Sequence, residues 1–202
     1  MKTVLLSTAY LAPVEYYMQL NNAERVIIEK TDHYVKQTYR NRCIIATTNG
    51  LQTLSIPVVK PDFHKCYTKD MRIADHGSWR HLHWNAIVSA YSSTPFFEYY
   101  TDDFRPFYEY KYKFLFDFNE QLRELICRLL DIYPDISYSS CYVINSRTGE
   151  MDLREVIHPK KESRITNFKP YYQVFESKYG FQSNLSIIDL LFNMGPETIL
   201  YL

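Results

Sequence analysis

Residues 4–29 read VLLSTAYLAPVEYYMQLNNAERVIIE, a stretch that predicts two short strands on either side of a helix. Val4–Leu6 is an apolar run typical of a buried strand, Pro13 suits the first turn of a helix through Gln19, and Arg25–Glu29 is a second run of strand length. This order indicates a βαβ unit with a parallel strand pair. The first loop has no G-x-G-x-x-G pattern, and no cofactor is predicted.

A β-hairpin is the clearest local signal further along the chain. Asn49-Gly50 joins the strand-like segments Cys43–Thr48 and Leu51–Ile56. An Asn-Gly pair favours the positive φ angles of a type I′ turn, so the sequence predicts an antiparallel pair closed by such a turn.

Helical periodicity dominates much of the remaining chain. Apolar residues recur at helical spacing from Ser78 toward Pro95 and again over 115–130, and Ser186-Ile-Ile-Asp189 matches a capping box before a last helix that ends at Gly195. No repeat or linker divides residues 1–202. The predicted fold class is therefore α/β: a single domain with a mixed sheet, an N-terminal βαβ-like unit, an Asn-Gly β-hairpin and several covering helices.

Composition excludes some classes of partner. Lys plus Arg and Asp plus Glu number 23 each, whereas duplex nucleic-acid binders carry a basic excess, so no such partner is predicted. The N-terminal apolar stretch is too short for a signal sequence or a membrane span. The four cysteines form no C-x-x-C pair, which favours a reducing, cytoplasmic location. Aromatic content is high, with 19 Tyr and 12 Phe; these residues suit a core, a stacking surface or a protein contact.

The first candidate site is the segment from Lys36 to Arg42, which includes Asn41. If this segment enters the hairpin in an extended conformation, Arg40 and Arg42 project from one face, and paired guanidinium groups suit a phosphate or a carboxylate. The alternative is a solvated strand end with surface ion pairs.

The second candidate site is Asp75–Trp84, which contains three histidines. His81 and His83 are two residues apart, so they diverge on a helix, and no H-E-x-x-H pattern supports a metal; none is predicted. The functional interpretation is proton transfer by His81 or His83, with Trp84 stacking on a ligand. The alternative is structural, with Ser78 as a cap, Asp75 in an ion pair and His83 as a satisfied polar member of the packed face.

The third candidate site is Phe181–Pro196, where Asn184, Ser186 and Asp189 precede or begin a helix. Free amides at a helix N-terminus favour anions, so Asn184 is a candidate ligand-binding residue. The alternative is that Ser186 and Asp189 only cap the helix. No G-x-S-x-G, P-loop or Cys–His pair completes a catalytic constellation.

Taken in order, these segments resemble the WbqC-like family of bacterial proteins over most of the chain. The matching segments are Tyr10-Leu11, Arg40-Asn-Arg42, Ser55-Ile-Pro57, Trp79-Arg-His81, Tyr91, Pro95-Phe-Phe97 and the block Asn184–Pro196. Many members have a His-Gln-Pro segment just before the Tyr-Leu pair, whereas this chain has Leu6-Ser-Thr-Ala9.

The resemblance implies a role in surface polysaccharide and O-antigen biosynthesis, with glycine or acyl transfer to an amino sugar as the suggested reaction. Together with the paired arginines, it predicts a transferase for an anionic sugar linked to a nucleotide or a carrier. Tyr10 joins the expected binding residues as part of the matching Tyr-Leu pair. The competing hypothesis is a non-catalytic binding or assembly protein with an aromatic surface. The enzyme hypothesis requires that the arginines and the histidines meet at one cavity.

Overall fold

A parallel β-sheet lies at the centre of the protein. The computed structural model describes residues 2–60, 66–142 and 149–202. Within these ranges the sheet consists of β1 (Thr3–Ser7), β2 (Arg25–Glu29), β5 (Ile136–Tyr138) and β6 (Glu150–Asp152), in the spatial order β5-β2-β1-β6. All three adjacent pairs are parallel.

The N-terminal βαβ unit is confirmed. Helix α1 (Val14–Asn22) connects β1 to β2, which pair in the register Thr3↔Arg25 to Ser7↔Glu29. Val4, Leu6 and Ile28 are buried, as expected for a strand pair that is covered on both faces.

The hairpin is confirmed, but its turn differs from the prediction. Strands β3 (Arg42–Thr47) and β4 (Gly50–Ser55) form a separate two-stranded sheet, so the parallel and antiparallel pairs do not share one sheet. Thr48 and Asn49 are the turn residues, and only Gly50 of the Asn-Gly pair has a positive φ, of 98°. A type I′ turn is therefore wrong. The Thr47 hydroxyl accepts a hydrogen bond from the Asn49 N–H and donates one to the Gly50 carbonyl, which closes the turn.

Helices cover the two sheets and bury the aromatic core. The remaining helices are α2 (Trp79–Tyr91), α3 (Phe97–Glu109), α4 (Leu115–Leu129), α5 (Glu176–Tyr179) and α6 (Ile187–Met194), with 3-10 turns at Thr68–Asp70 and Gly195–Tyr201. Phe192 of α6 contacts the rings of Tyr91, Phe97, Tyr100 and Phe104. In the described ranges, no helix has the length and apolarity that a membrane crossing requires.

Two predicted helix caps do not form. The Ser186 hydroxyl donates to the Leu11 carbonyl, and Asp189 accepts from Tyr91, Tyr171 and Gln173 instead of returning to the Ser186 amide. Ser78 precedes α2 with a left-handed φ of 47° and makes no side-chain capping bond. In the C-terminal block, tertiary hydrogen bonds take the place of the local ones that the capping box predicts.

Candidate functional site

Polar side chains gather at the carboxyl ends of β1, β2 and β6, which are neighbours in the parallel sheet. From β1 the chain continues to β2 and later to β5, which both lie on one side of β1. It then crosses to β6, which lies on the other side of β1. The strand order therefore reverses between β1 and β6, and ligands of open α/β sheets bind at such a point.

Arg40 lies at the centre of this edge. Its side chain is 2% exposed, and its Nη2 donates to Asp32 Oδ2 at 2.6 Å and to Glu155 Oε1 at 3.3 Å. The Asn119 side-chain amide donates to the Arg40 carbonyl at 2.7 Å and anchors this turn to α4. Two buried atoms of the cluster, Arg40 Nε and Asp32 Oδ1, have no hydrogen-bond partner. Buried polar atoms are usually paired, so these two atoms leave the hydrogen bonding of the cluster incomplete.

Arg40 separates two openings. On one side is a cavity of about 350 Å³ lined by Thr31, Asp32, His33, Val35, Arg40, Tyr67, Tyr142 and Glu155. On the other side is a narrow cleft of about 10 Å³ between the ends of β1 and β6, which has room for roughly one water molecule. The larger cavity has the volume of a small-molecule site.

Aromatic rings line the larger cavity. His33 and Tyr67 stack with ring centroids 5.2 Å apart, and the Arg154 guanidinium lies 5.0 Å from the ring centre of Tyr142. Tyr67 is 48% exposed, so a ligand in the cavity can contact its ring. Flat rings beside charged groups suit a ligand that has both a ring and polar substituents.

A fully engaged network lies below the cavity. Glu29 is 0% exposed and accepts hydrogen bonds from the Thr31 amide and hydroxyl at 2.8 and 2.7 Å and from Ser139. Arg154 Nη1 lies 3.3 Å from Glu29, and Arg154 Nη2 lies 2.6 Å from Asp152. These pairs hold the ends of β2, β5 and β6 together.

The structure brings part of the predicted arginine cluster to this site. Residues 36–41 form turns and bends, so the expected extended entry into the hairpin is wrong. Burial raises the pKa of Tyr34 to about 12 and outweighs the charges of Arg42 and Arg40, which lower it. Both guanidinium groups therefore lie near the Tyr34 phenol. Arg42 Nε is buried without a hydrogen-bond partner. Asn41 donates to the Ile56 carbonyl, and Lys36 is exposed.

The predicted histidine site lies elsewhere. Tyr10 is buried, and its hydroxyl lies 3.0 Å from His83 Nδ1 and 2.9 Å from the Tyr108 hydroxyl. Burial lowers the pKa of His83 from 6.5 to about 4, against a backbone hydrogen bond of Ser55 that raises it. His83 is thus a neutral member of the core.

His81 and Trp84 also lie outside the lining of the Arg40 openings. His81 is exposed and hydrogen-bonds Asn85, whereas the half-buried Trp84 stacks on Tyr108 at 5.5 Å. Neither opening beside Arg40 contains Tyr10, His81, His83 or Trp84 among its lining residues. The arginines and the histidines therefore line no common opening beside Arg40, so the meeting at one cavity that the enzyme hypothesis requires is not found, and a transferase at this site needs a proton acceptor other than these histidines. The catalytic and stacking roles of these residues stay predictions. In the described ranges, no group of three or more His, Cys, Asp or Glu side chains is arranged to hold a metal ion.

Asn184 contributes to the fold at another helix. Its side-chain oxygen accepts a hydrogen bond from the Glu15 amide at 3.0 Å, and its φ of 55° is left-handed. Asn184 thus caps α1 from a distant part of the chain.

Sequence reasoning missed most residues that line the larger cavity. Asp32 and His33 follow the predicted strand 25–29, so the rule that sites form at the carboxyl ends of parallel strands points to them. Arg154 and Glu155 had no comparable signal, because Glu150-Met-Asp152 has no strand-like pattern. Tyr67 and Tyr142 meet there only through tertiary packing.

The fold and this edge define the class: an α/β protein with a polar, aromatic-lined cavity at the carboxyl end of a parallel sheet. The model of the WbqC-like protein family matches residues 8–167, and the chain belongs to that family. The uncharacterized protein Rv1507c of Mycobacterium tuberculosis is similar, with 26% identity over 229 residues that cover 100% of this chain and 97% of the relative. No solved structure matches this chain significantly.

Proposed function

We propose that the protein binds an anionic sugar, linked to a nucleotide or to a carrier, in the cavity beside Arg40. We further propose that it acts on this sugar as a transferase in surface polysaccharide biosynthesis, which is the role the family resemblance implies. The observation that supports the proposal is the buried Arg40–Asp32 pair, which borders the 350 Å³ cavity with one unpaired atom on each side chain. A cytoplasmic location belongs to the same proposal.

Each type of side chain in the cavity has a partner on such a ligand. Guanidinium groups bind anions, carboxylates accept hydrogen bonds from sugar hydroxyls, and aromatic rings pack against the apolar face of a sugar or base. Glu155 is 58% exposed and holds Arg40 at 3.3 Å, so a ligand anion can replace it at low cost.

The proposed reaction is acyl or glycyl transfer to an amino sugar. The sugar nitrogen attacks the carbonyl carbon of an acyl donor, a C–N bond forms, and the bond from that carbon to the donor's leaving group breaks. The proton lost by nitrogen passes to a carboxylate at the cavity, for which Glu155 is the accessible candidate. The acyl donor is a thioester or an ester.

The second candidate function is binding without turnover. It is favoured by the positions of His81 and His83, the predicted proton-transfer residues, which do not line the cavity. In that case the protein holds the sugar for a partner.

Calorimetry with UDP-N-acetylglucosamine tests binding, and mass spectrometry of UDP-glucosamine, whose amine is free, after acyl donors are added tests transfer. We expect binding by the wild type and roughly fivefold weaker binding by Tyr67→Ala, because stacking on the ring is lost. Tyr99→Ala is the matched control, since Tyr99 is exposed and does not line the cavity. Acylated product supports the transferase, binding without product supports the second candidate, and no binding of any sugar nucleotide contradicts both.

A further inference from the structure

The loop after β6 carries three basic or titratable side chains, His158, Lys160 and Lys161, to the Arg40 turn. The Lys161 ammonium donates to the Glu155 carbonyl at 2.6 Å, and the Lys160 ammonium donates to the Gln37 side-chain oxygen. Gln37 has a left-handed φ of 61°, a conformation uncommon for a residue with a side chain. Both lysines are therefore held on backbone or side-chain acceptors near Arg40, and neither is paired with a carboxylate in the described part of the chain.

His158 is oriented by its own loop. Its Nδ1 accepts a hydrogen bond from the Lys160 amide at 3.0 Å, so the neutral ring carries its proton on Nε2. Partial burial lowers the pKa of His158, the charges of Lys161, Lys160 and Arg40 lower it further, and Glu155 opposes them. The three cations and the imidazole thus lie within electrostatic reach of one another.

The loop after β6 adds positive charge to the Arg40 cluster. Lys160 and Lys161 contribute two positive charges beside the pairs of Arg40 with Asp32 and Glu155, while the network below the cavity contributes one positive charge from Arg154 and two negative charges from Glu29 and Asp152. Glu155 is the exposed member of the Arg40 cluster, so an incoming anion can displace it from the Arg40 guanidinium. The anion would then contact that guanidinium, the two ammonium groups and the His158 N–H. Surface lysines alone define no site, but Arg40 is buried and has an unpaired Nε–H.

We infer that Arg40, His158, Lys160 and Lys161 form a subsite for a diphosphate group at the mouth of the larger cavity. The inference rests on the proposed function and deepens it, because it makes the substrate a sugar joined through a diphosphate rather than a sugar acid. The aromatic rings of the cavity then face the sugar, and the loop after β6 holds the phosphates. Four donors of this kind match the several oxygens of a diphosphate.

Inorganic pyrophosphate tests the subsite without a sugar. We expect pyrophosphate to raise the pKa of His158, measured from its ring proton signals by NMR, because a bound anion favours the charged imidazole. His158→Gln assigns the signal, and the exposed His81 is the internal control. A His158 signal that does not respond to pyrophosphate, or that moves no more than that of His81, overturns the subsite.

A double variant tests the same subsite with the whole ligand. We expect Lys160→Ala with Lys161→Ala to weaken UDP-N-acetylglucosamine binding about tenfold or more and to leave the affinity for N-acetylglucosamine unchanged. Arg105→Ala with Lys111→Ala is the matched control, since it also removes two exposed charges whose partners are Asp102 and Asp75. Equal losses in both variants overturn the subsite and indicate long-range charge alone.

The outcomes separate the two proposals. If the double lysine variant still binds sugar nucleotides as the wild type does, the subsite is rejected and the proposed function is kept. If the protein responds to pyrophosphate but binds no sugar, the subsite is kept and the proposed function is rejected. Geranyl diphosphate in detergent micelles, compared with UDP, distinguishes a lipid carrier from a nucleotide as the source of the diphosphate. Binding of either one through Lys160 and Lys161 supports the subsite, and binding of neither rejects it.

Discussion

Two buried polar clusters of this protein differ in one respect. Around His83, the ring nitrogen, the Tyr10 hydroxyl and the Tyr108 hydroxyl satisfy one another inside the aromatic core. Around Arg40, the ion pair with Asp32 is equally buried, but Arg40 Nε and Asp32 Oδ1 remain unpaired beside an open cavity. The first cluster lines neither opening beside Arg40, whereas the second borders both of them. The position of Arg40 at the edge of open space, rather than the burial of polar groups, marks the candidate site.

The largest effect is expected when the Arg40 cluster is broken. Arg40→Ala leaves Asp32 buried without its cation, which costs about 3–5 kcal/mol in the free energy of unfolding, measured by urea denaturation. It also abolishes sugar-nucleotide binding. Arg105→Ala, which removes an exposed pair with Asp102, serves as the control at about 0–1 kcal/mol. A loss below about 1 kcal/mol for Arg40→Ala shows that the pair behaves like a surface one.

The pH dependence of the free energy of unfolding tests whether His83 is neutral and buried in the folded protein. The pKa of His83 is about 4 in the folded protein, against an ordinary value of 6.5. The unfolded chain therefore binds a proton first as the pH falls, and folded stability decreases between pH 6.5 and pH 4, by roughly 3 kcal/mol at most. Unfolding free energies of the wild type and His83→Gln, measured across this window, should show a steeper decrease in the wild type.

The comparison with His83→Gln is needed because Asp189 acts in the opposite direction. Burial raises the pKa of Asp189 to about 6, while hydrogen bonds from Tyr171, Tyr91 and Gln173 oppose that shift. Stability that depends on Asp189 therefore decreases as the pH rises from 3.8 to 6, and the wild-type profile alone hides both effects. Parallel profiles for the two proteins contradict a neutral, buried His83.

The smallest effect is expected for a single hydroxyl. Tyr10→Phe removes the partner of both His83 Nδ1 and the Tyr108 hydroxyl and costs about 1–3 kcal/mol, measured by thermal or urea unfolding. Ligand affinity should stay unchanged, since Tyr10 lines neither opening beside Arg40. Tyr108→Phe removes only one end of the chain of hydroxyls and should cost less. If Tyr10→Phe weakens sugar-nucleotide binding, the two clusters are coupled and the contrast fails.

Local signals predicted the elements of the fold better than the positions of the site residues. The N-terminal βαβ unit, the hairpin and α4 follow from apolar periodicity and turn residues, and all are present. Strand β6 is the counterexample, because Glu150-Met-Asp152 is polar and forms a strand only by pairing with β1. Arg154 and Glu155 lie at the site because they follow that strand.

The histidine-rich helix α2 also shows that local signals do not locate the site residues. Helical spacing placed His81 and His83 on different faces, which the structure confirms, with His81 exposed and His83 buried. Spacing alone does not tell which face meets a ligand and which meets the core. That distinction depends on Tyr10, Tyr108 and Phe118, which come from other segments of the chain.

The sequence by itself determined the α/β class, the strand and helix segments with strong periodicity, and the arginine that lines the candidate site. Tertiary structure alone decided that Asp32, Tyr67 and Glu155 surround Arg40, and that Asn184 caps α1 and Asp189 binds two tyrosines. The physical reason is the distance along the chain over which each effect acts. Periodicity and turn preferences act over a few residues, whereas burial, ion pairing and the opening of a cavity depend on groups more than a hundred residues apart, as Arg40 and Glu155 are.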